Sequence, residues 1–175
     1  MSNRNILTET DRLMITRFSE NMAEAVHRLS LDENNRRFQP DEVFETTQDA
    51  LETIQYLSAR YDHPDVPQVY PIVLKEQDCN IGHVELVPIG RGEWEIGYHI
   101  GEDFTRKGYA SEAVKAFLPV AAEMTGVNEV QGICLADNKA SKQVLLKCGF
   151  IPVFEGTGDY QGEKREVFRS VWTKP

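Results

Sequence analysis

The stretch FTRKGYASEA, residues 104–113, sets Arg106, Lys107 and Gly108 directly in front of an alanine-rich helical repeat. A glycine-bearing turn that leads from a strand into a helix leaves backbone N–H groups at the positive end of the helix dipole. A phosphate or pyrophosphate is favoured there. Two common glycine signatures do not account for the stretch. GxxxxGK[ST] needs its lysine after the second glycine, but Lys107 precedes Gly108, and the earlier Gly101 stands seven residues back. GRGEWE offers Gly90 and Gly92 without a third glycine and leads into a strand, so the dinucleotide fingerprint is also absent. Without a ligand, the same residues are a glycine relieving a tight turn beside two solvated cations. Other residues must decide between the two.

Three further groups have chemistry to offer. In EWEIGYHIG, residues 93–101, strand alternation puts Glu95, Gly97 and His99 on one face and Trp94, Ile96 and Tyr98 on the other. Asn138 stands where its side-chain oxygen can cap a helix by accepting from the Ser141 amide, a role that needs no ligand. The histidines, His27, His63, His83 and His99, are dispersed, with no HxxxH or His-x-Cys cluster, so no catalytic metal is expected. Cys79, Cys134 and Cys148 form no CxxC pair, and GxSxG is absent.

The elements that must position these groups follow from periodicity. RLMITRF (12–18) reads as a first strand. A helix capped by Ser19 carries Met22, Ala23, Val26 and Leu29 and ends near Ser30. A second helical stretch, Asp41 to Arg60, precedes a proline-broken segment. VYPIVLKE, NIGHVELVPI and EWEIGYHIG then form an antiparallel meander. Gly108 to about Thr125 returns to helical period, with a kink expected at Pro119, and leads to the strand NEVQGICL. NKASKQVLLKCGF is a short helix stopped by Gly149, and FIPVFEG and REVFRSVWT are closing strands. The order β-α-α-β-β-β-α-β-α-β-β is that of a mixed α+β sheet, and no linker or repeat divides residues 1–175, so a single domain is expected.

Composition bounds the partners. The 175 residues are 41% hydrophobic and 27% charged, enough for one domain with a core. A net charge of −9 and a pI near 5.0 argue against nucleic acid and anionic membrane as partners; they would favour a cationic substrate, but acidity that serves only solubility is the plainer reading of charge alone. The odd cysteine count fits a reducing compartment. The start MSNRNILTETDR has no apolar core, and no run of about 18 apolar residues occurs, so a cytoplasmic protein is expected.

Taken in order, ETDRLMITRF, EIGYHI, GYASEA, and Asn138 with Ser141 before Lys147 to Phe150 resemble the Gcn5-related N-acetyltransferase (GNAT) superfamily. Within it they are similar to the branch of ribosomal-protein N-terminal acetyltransferases, RimJ/RimL-like, and the resemblance runs from about Thr8 to Trp172. It implies a mainly antiparallel twisted sheet flanked by helices, with two central strands splayed apart. It also implies acetyl-CoA as co-substrate. The family's Q/R-x-x-G-x-G/A loop maps onto Thr105, Arg106, Lys107, Gly108, Tyr109 and Ala110, with Thr105 departing from the usual Gln or Arg. Tyr98, His99 and Ile100 would supply the strand edge on which the pantetheine arm pairs. Asn138 would contact that arm, and Ser141 would lie near the thioester sulfur.

The implied reaction moves an acetyl group from acetyl-CoA directly to a primary amine, for example a protein N-terminus, an amino sugar, a polyamine or a drug amine. A protonated amine has no lone pair, so a base must remove a proton. Glu95 is the candidate, with His99 or Glu85 as replacements, and a surface or ion-paired glutamate as the plainer role. A strand amide near His99 or Ile100 would stabilise the oxyanion. The family's tyrosine acid falls on Leu145 here, which leaves Ser141 to protonate the thiolate or no dedicated donor. That absence keeps open a rival, a non-catalytic acyl-CoA-binding module or sensor. Acceptor choice should lie in residues 32–60 and the last two strands, and the resemblance is compatible with a homodimer.

Overall fold

The structure, a computed structural model, describes residues 5–175. The expectation of a single domain extends over residues 1–4, which lie outside the described residues. Eight strands form one sheet in the order β1-β2-β3-β4-β5-β6-β8-β7. They are β1 (Ile6–Glu9), β2 (Leu13–Thr16), β3 (Gln68–Leu74), β4 (Cys79–Gly90), β5 (Glu93–Ile100), β6 (Glu129–Leu135), β7 (Ile151–Tyr160) and β8 (Glu163–Thr173). Five α-helices accompany them: α1 (Ala23–Ser30), α2 (Glu33–Phe38), α3 (Thr47–Ser58), α4 (Tyr109–Thr125) and α5 (Lys139–Lys147). The mixed, mainly antiparallel α+β sheet expected from the sequence is what forms.

The two faces of the sheet carry separate cores. Val84, Leu86, Trp94 and Ile96 meet Ala113, Val114, Phe117 and Ala121 of α4, while Leu145 and Phe150 close the end near β6 and β8. On the opposite face Met22, Ala23 and Ile54 pack with Val73 beneath α1 and α3. This split follows from strand alternation and assigns the face of each β5 side chain.

One junction departs from regular pairing. β5 and β6 are the parallel neighbours in an otherwise antiparallel sheet, and Glu95 opposite Gln131 is the one paired position between them among the described residues. Beyond Glu95 the β5 edge from Ile96 to Ile100 has no partner on β6, so its backbone groups face a gap. These are the splayed central strands implied by the resemblance.

Several boundaries differ from the sequence-based expectation. β1 was not anticipated, because ILTE carries no clear alternation. Ser19 does not cap a helix: it has no side-chain cap bond, and a 3₁₀ turn at Glu20–Met22 precedes α1. The helix expected from Asp41 begins only at Thr47. There Thr46 accepts from the Asp49 amide and Asp49 answers the Thr46 N–H, a capping box that fixes the start. Val43 is extended, and the shorter α2 occupies residues 33–38. α4 continues through Pro119 to Thr125 as one helix. α5 ends as expected, with Gly149 at φ 87° and the Phe150 amide donating to the Leu145 carbonyl.

Candidate active site

The gap between β5 and β6 opens into a cleft of about 710 Å³. Tyr98, Ile100, Thr105, Ala110, Asn138 and Ser141 line one half of it, and Asn34, Gln39, Glu42, Glu85, Glu95 and Tyr160 line the other. Residues that the sequence suggested separately as strand edge, turn and helix start therefore border one space. Asp159, Tyr160 and Gln161 reach it from the β7–β8 hairpin, and Asn34, Phe38 and Asp41 from the α2 region.

The turn before α4 is built to leave amides free. The backbone enters the left-handed region at Arg106 (φ 62°) and again at Gly108 (φ 80°), which caps α4 without a side-chain acceptor. Its first-turn N–H groups thus lack the side-chain partner that most helix starts provide. Thr105 does not face a ligand role: its hydroxyl donates to the Glu102 carbonyl at 2.8 Å. Lys107 turns back as well, its Nζ donating to the Asp103 carbonyl at 3.0 Å. A carboxylate in the first turn, Glu112, would oppose an anion here, but Arg12 lies against it with Nε at 2.8 Å from Oε2. The Arg12 guanidinium also donates to the Lys107 carbonyl at 3.1 Å and stacks 4.5 Å from the Tyr109 ring centroid. The geometry of the anion seat is thus held by Arg12 from the β1–β2 turn, a role that its local sequence does not reveal.

The start of α5 is capped as expected: Asn138 Oδ1 accepts from the Ser141 amide at 3.1 Å. The Ser141 hydroxyl has an unexpected partner. The Tyr98 hydroxyl crosses the cleft to lie 2.8 Å from Ser141 Oγ and 2.9 Å from the Ser141 carbonyl. The carbonyl can only accept, so both contacts are made together when Tyr98 donates to it and Ser141 donates to the Tyr98 oxygen. Burial pushes Tyr98 up, which keeps it a neutral phenol. Leu145, at the position of the family's tyrosine, is fully buried in the core. In the sequence Tyr98 stands out only as part of a strand edge; its hydroxyl contact with Ser141 arises from the fold.

On the opposite face of β5 lie Glu95, Gly97 and His99, as alternation required. Burial pushes the Glu95 carboxyl up to about 7, with the Arg169 charge acting downward. Glu85, on β4 opposite Gly97, is also pushed up by burial and then by the neighbouring Glu42 charge. His99 falls to about 4, because burial and His83 disfavour its charge, and its Nε2 lies 3.3 Å from the Leu29 carbonyl. The neutral ring therefore carries its proton on Nε2 and donates it there. Histidines far apart in the sequence come together, with the His83 and His99 rings 6.0 Å apart and ligand-type atoms of Glu42, His83 and Glu85 within 4.8 Å of one another.

Residues 12–151 match the acetyltransferase (GNAT) domain family. The chain belongs to that family. It is 30% identical to YnaD, an uncharacterized N-acetyltransferase of Bacillus subtilis (strain 168), over 80% of this chain and 79% of YnaD. Among solved structures it resembles a GNAT acetyltransferase from Bacillus anthracis, with a TM-score of 0.79 and 22% identity over 95% of this chain and 97% of the other. It also resembles RimL, the ribosomal L7/L12 α-N-protein acetyltransferase, solved in complex with coenzyme A. There the TM-score is 0.79 and identity 20%, over 97% of this chain and 98% of RimL. The GNAT fold and an acetyltransferase activity directed at amines follow from this membership. No helix among the described residues is long and apolar enough to cross a membrane.

Proposed function

We propose that this GNAT enzyme transfers an acetyl group from acetyl-CoA directly to a primary amine in the cleft between β5 and β6. The observation that carries the proposal is the shared lining: an unpaired strand edge, an uncapped helix start and a buried carboxylate border one cavity. The amides around Gly108 would hold the pyrophosphate, and the Tyr98–Ile100 edge with Asn138 would hold the pantetheine arm. Both assignments fit the residues present, because each offers backbone groups that the fold leaves unpaired.

In this reading Glu95 takes a proton from the ammonium, directly or through water, and the amine lone pair attacks the thioester carbonyl. An amide near His99 or Ile100 stabilises the oxyanion. As the C–S bond breaks, Ser141 gives its proton to the departing thiolate and is reprotonated, through the Tyr98 hydroxyl or water, by the proton that the new amide nitrogen loses. This pair supplies what Leu145 cannot. An acyl-cysteine route is disfavoured, since burial pushes the Cys134 and Cys148 thiols up to about 11. A protein α-amine is a candidate acceptor, as for the RimL relative, and the enzyme would work in the cytoplasm, alone or as a homodimer.

The test is acetyl-CoA turnover followed as free thiol across primary amines, including peptide N-termini. Amine-dependent thiol release supports the proposal, with loss of about 10²-fold or more in Glu95→Gln. Acetyl-CoA binding without thiol release from any amine would instead leave an acyl-CoA-binding module.

A further inference from the structure

The acceptor half of the cleft is short of cations. Asp41, Glu42, Glu85, Glu95 and Asp159 line it. Lys164 lies 3.0 Å from Asp159, and His83 lies 3.2 Å from Glu42. Among the described residues, Asp41, Glu85 and Glu95 have no Lys or Arg within ion-pair distance. Acidic lining on a chain of charge −9 identifies nothing by itself.

Glu85 is what distinguishes this cluster. It is only 8% exposed, and its carboxylate lies over Gly97, where a Cβ would come within 2.4 Å of Oε1. The polar group it meets there is another carboxylate, Glu42. Glu42 Oε2 and His83 Nε2 are themselves buried without a hydrogen bond; their 3.2 Å separation is an ion-pair contact off the line that a hydrogen bond needs. One imidazole faces two carboxylates. Two buried carboxylates side by side must either share a proton or be joined by a further cation, and a cationic ligand can displace that proton.

Resting on the acetyltransferase reading of this cleft, we propose that the acceptor carries a second cationic group, received by Glu85 with Glu42, while the amine to be acetylated lies at Glu95. Register gives the spacing. Glu85 stands opposite Gly97, two residues along β5 from Glu95, so the two glutamates are diagonal neighbours across the strand pair, about 7–8 Å apart. A short alkyl diamine spans that interval, as does a peptide α-amine with a neighbouring basic side chain. Tyr160 lines the same cleft, and an aromatic ring there adds to the attraction for a cation.

The experiment uses matched acceptors that differ by one charge: 1,4-diaminobutane against 1-aminobutane, and a peptide beginning Ser-Lys against one beginning Ser-norleucine. With saturating acetyl-CoA, the dicationic member of at least one pair should show kcat/KM about tenfold or more above its partner. The pair that does so distinguishes a small diamine from a basic peptide. Glu85→Gln should bring the ratio down towards one, and Glu42→Gln provides the same test if the first variant melts below the assay temperature. Equal kcat/KM within both pairs overturns the proposal and leaves acetyl transfer standing. Should no amine be acetylated, the transferase reading fails, and calorimetric titration with 1,4-diaminobutane and 1-aminobutane decides the cation site by itself. Tighter binding of the diamine that weakens in Glu85→Gln supports it, and equal binding overturns it.

Discussion

Replacing Glu95 by Gln removes one proton acceptor while keeping the shape of the side chain. Because burial lifts Glu95 to about 7, roughly a tenth of it is ionised at pH 6 and roughly nine tenths at pH 8. A base acts only when deprotonated, so kcat/KM should rise roughly tenfold across that interval through this group alone. The acceptor amine also titrates, so the informative quantity is the ratio of wild-type to Glu95→Gln kcat/KM at each pH. That ratio should climb to a plateau near pH 8, where the variant lies about 10²-fold to 10⁴-fold below wild type. Arg169 acts to lower the Glu95 pKa, so Arg169→Gln should move the rising limb to higher pH. The assay is thiol release from acetyl-CoA at subsaturating amine between pH 5.5 and 9. A variant within a few-fold of wild type, or a ratio that does not change with pH, would refute the assignment of Glu95 as base.

Other perturbations separate binding from folding. Gly108→Ala should cost about 1–2 kcal/mol of stability through its left-handed φ, since the added Cβ meets nothing closer than Arg12 at 3.7 Å; a loss of acetyl-CoA affinity by calorimetry is expected in addition. Asn138→Asp keeps an acceptor for the Ser141 amide, so its melting temperature should hold while coenzyme binding weakens. Asn138→Ala should lose both, with about 0.5–2 kcal/mol of stability. Arg12→Ala leaves Glu112 uncompensated in the first turn of α4 and should raise the KM for acetyl-CoA, most at low ionic strength. In urea titrations wild type should lose stability as pH rises from about 5 through 7. The raised Glu95 and Glu85 pKa values together make the folded state bind more protons over that window, the lowered His99 value offsets part of this, and Glu95→Gln should reduce the loss.

Much of this site is local and was legible in the sequence. The GYASEA turn, the alternation that puts Glu95 and His99 on one face, and the Asn138 cap each depend on residues within a few positions of one another. What was not legible depends on register and on contacts across the sheet. Nothing near Tyr98 indicates that its hydroxyl meets Ser141, 43 residues later. Glu42, His83, Glu85 and His99 converge because β4 pairs with β5 and a loop from the α2 region folds over that face. Thr105 looked like a broken position in the pyrophosphate loop, and the fold gives its hydroxyl a partner within its own turn. The start of the third helix was misplaced because apolar spacing continues back to Val43. The Thr46–Asp49 box, not the apolar pattern, fixes where it begins.

The most direct measurement is a crystal structure with acetyl-CoA bound. The account predicts pyrophosphate oxygens on the backbone amides around Gly108, the pantetheine arm along the unpaired edge from Tyr98 to Ile100, and the thioester sulfur beside Ser141 with Glu95 across the cleft. Coenzyme bound elsewhere, or entering the cleft with its thioester remote from both Glu95 and Ser141, would contradict it.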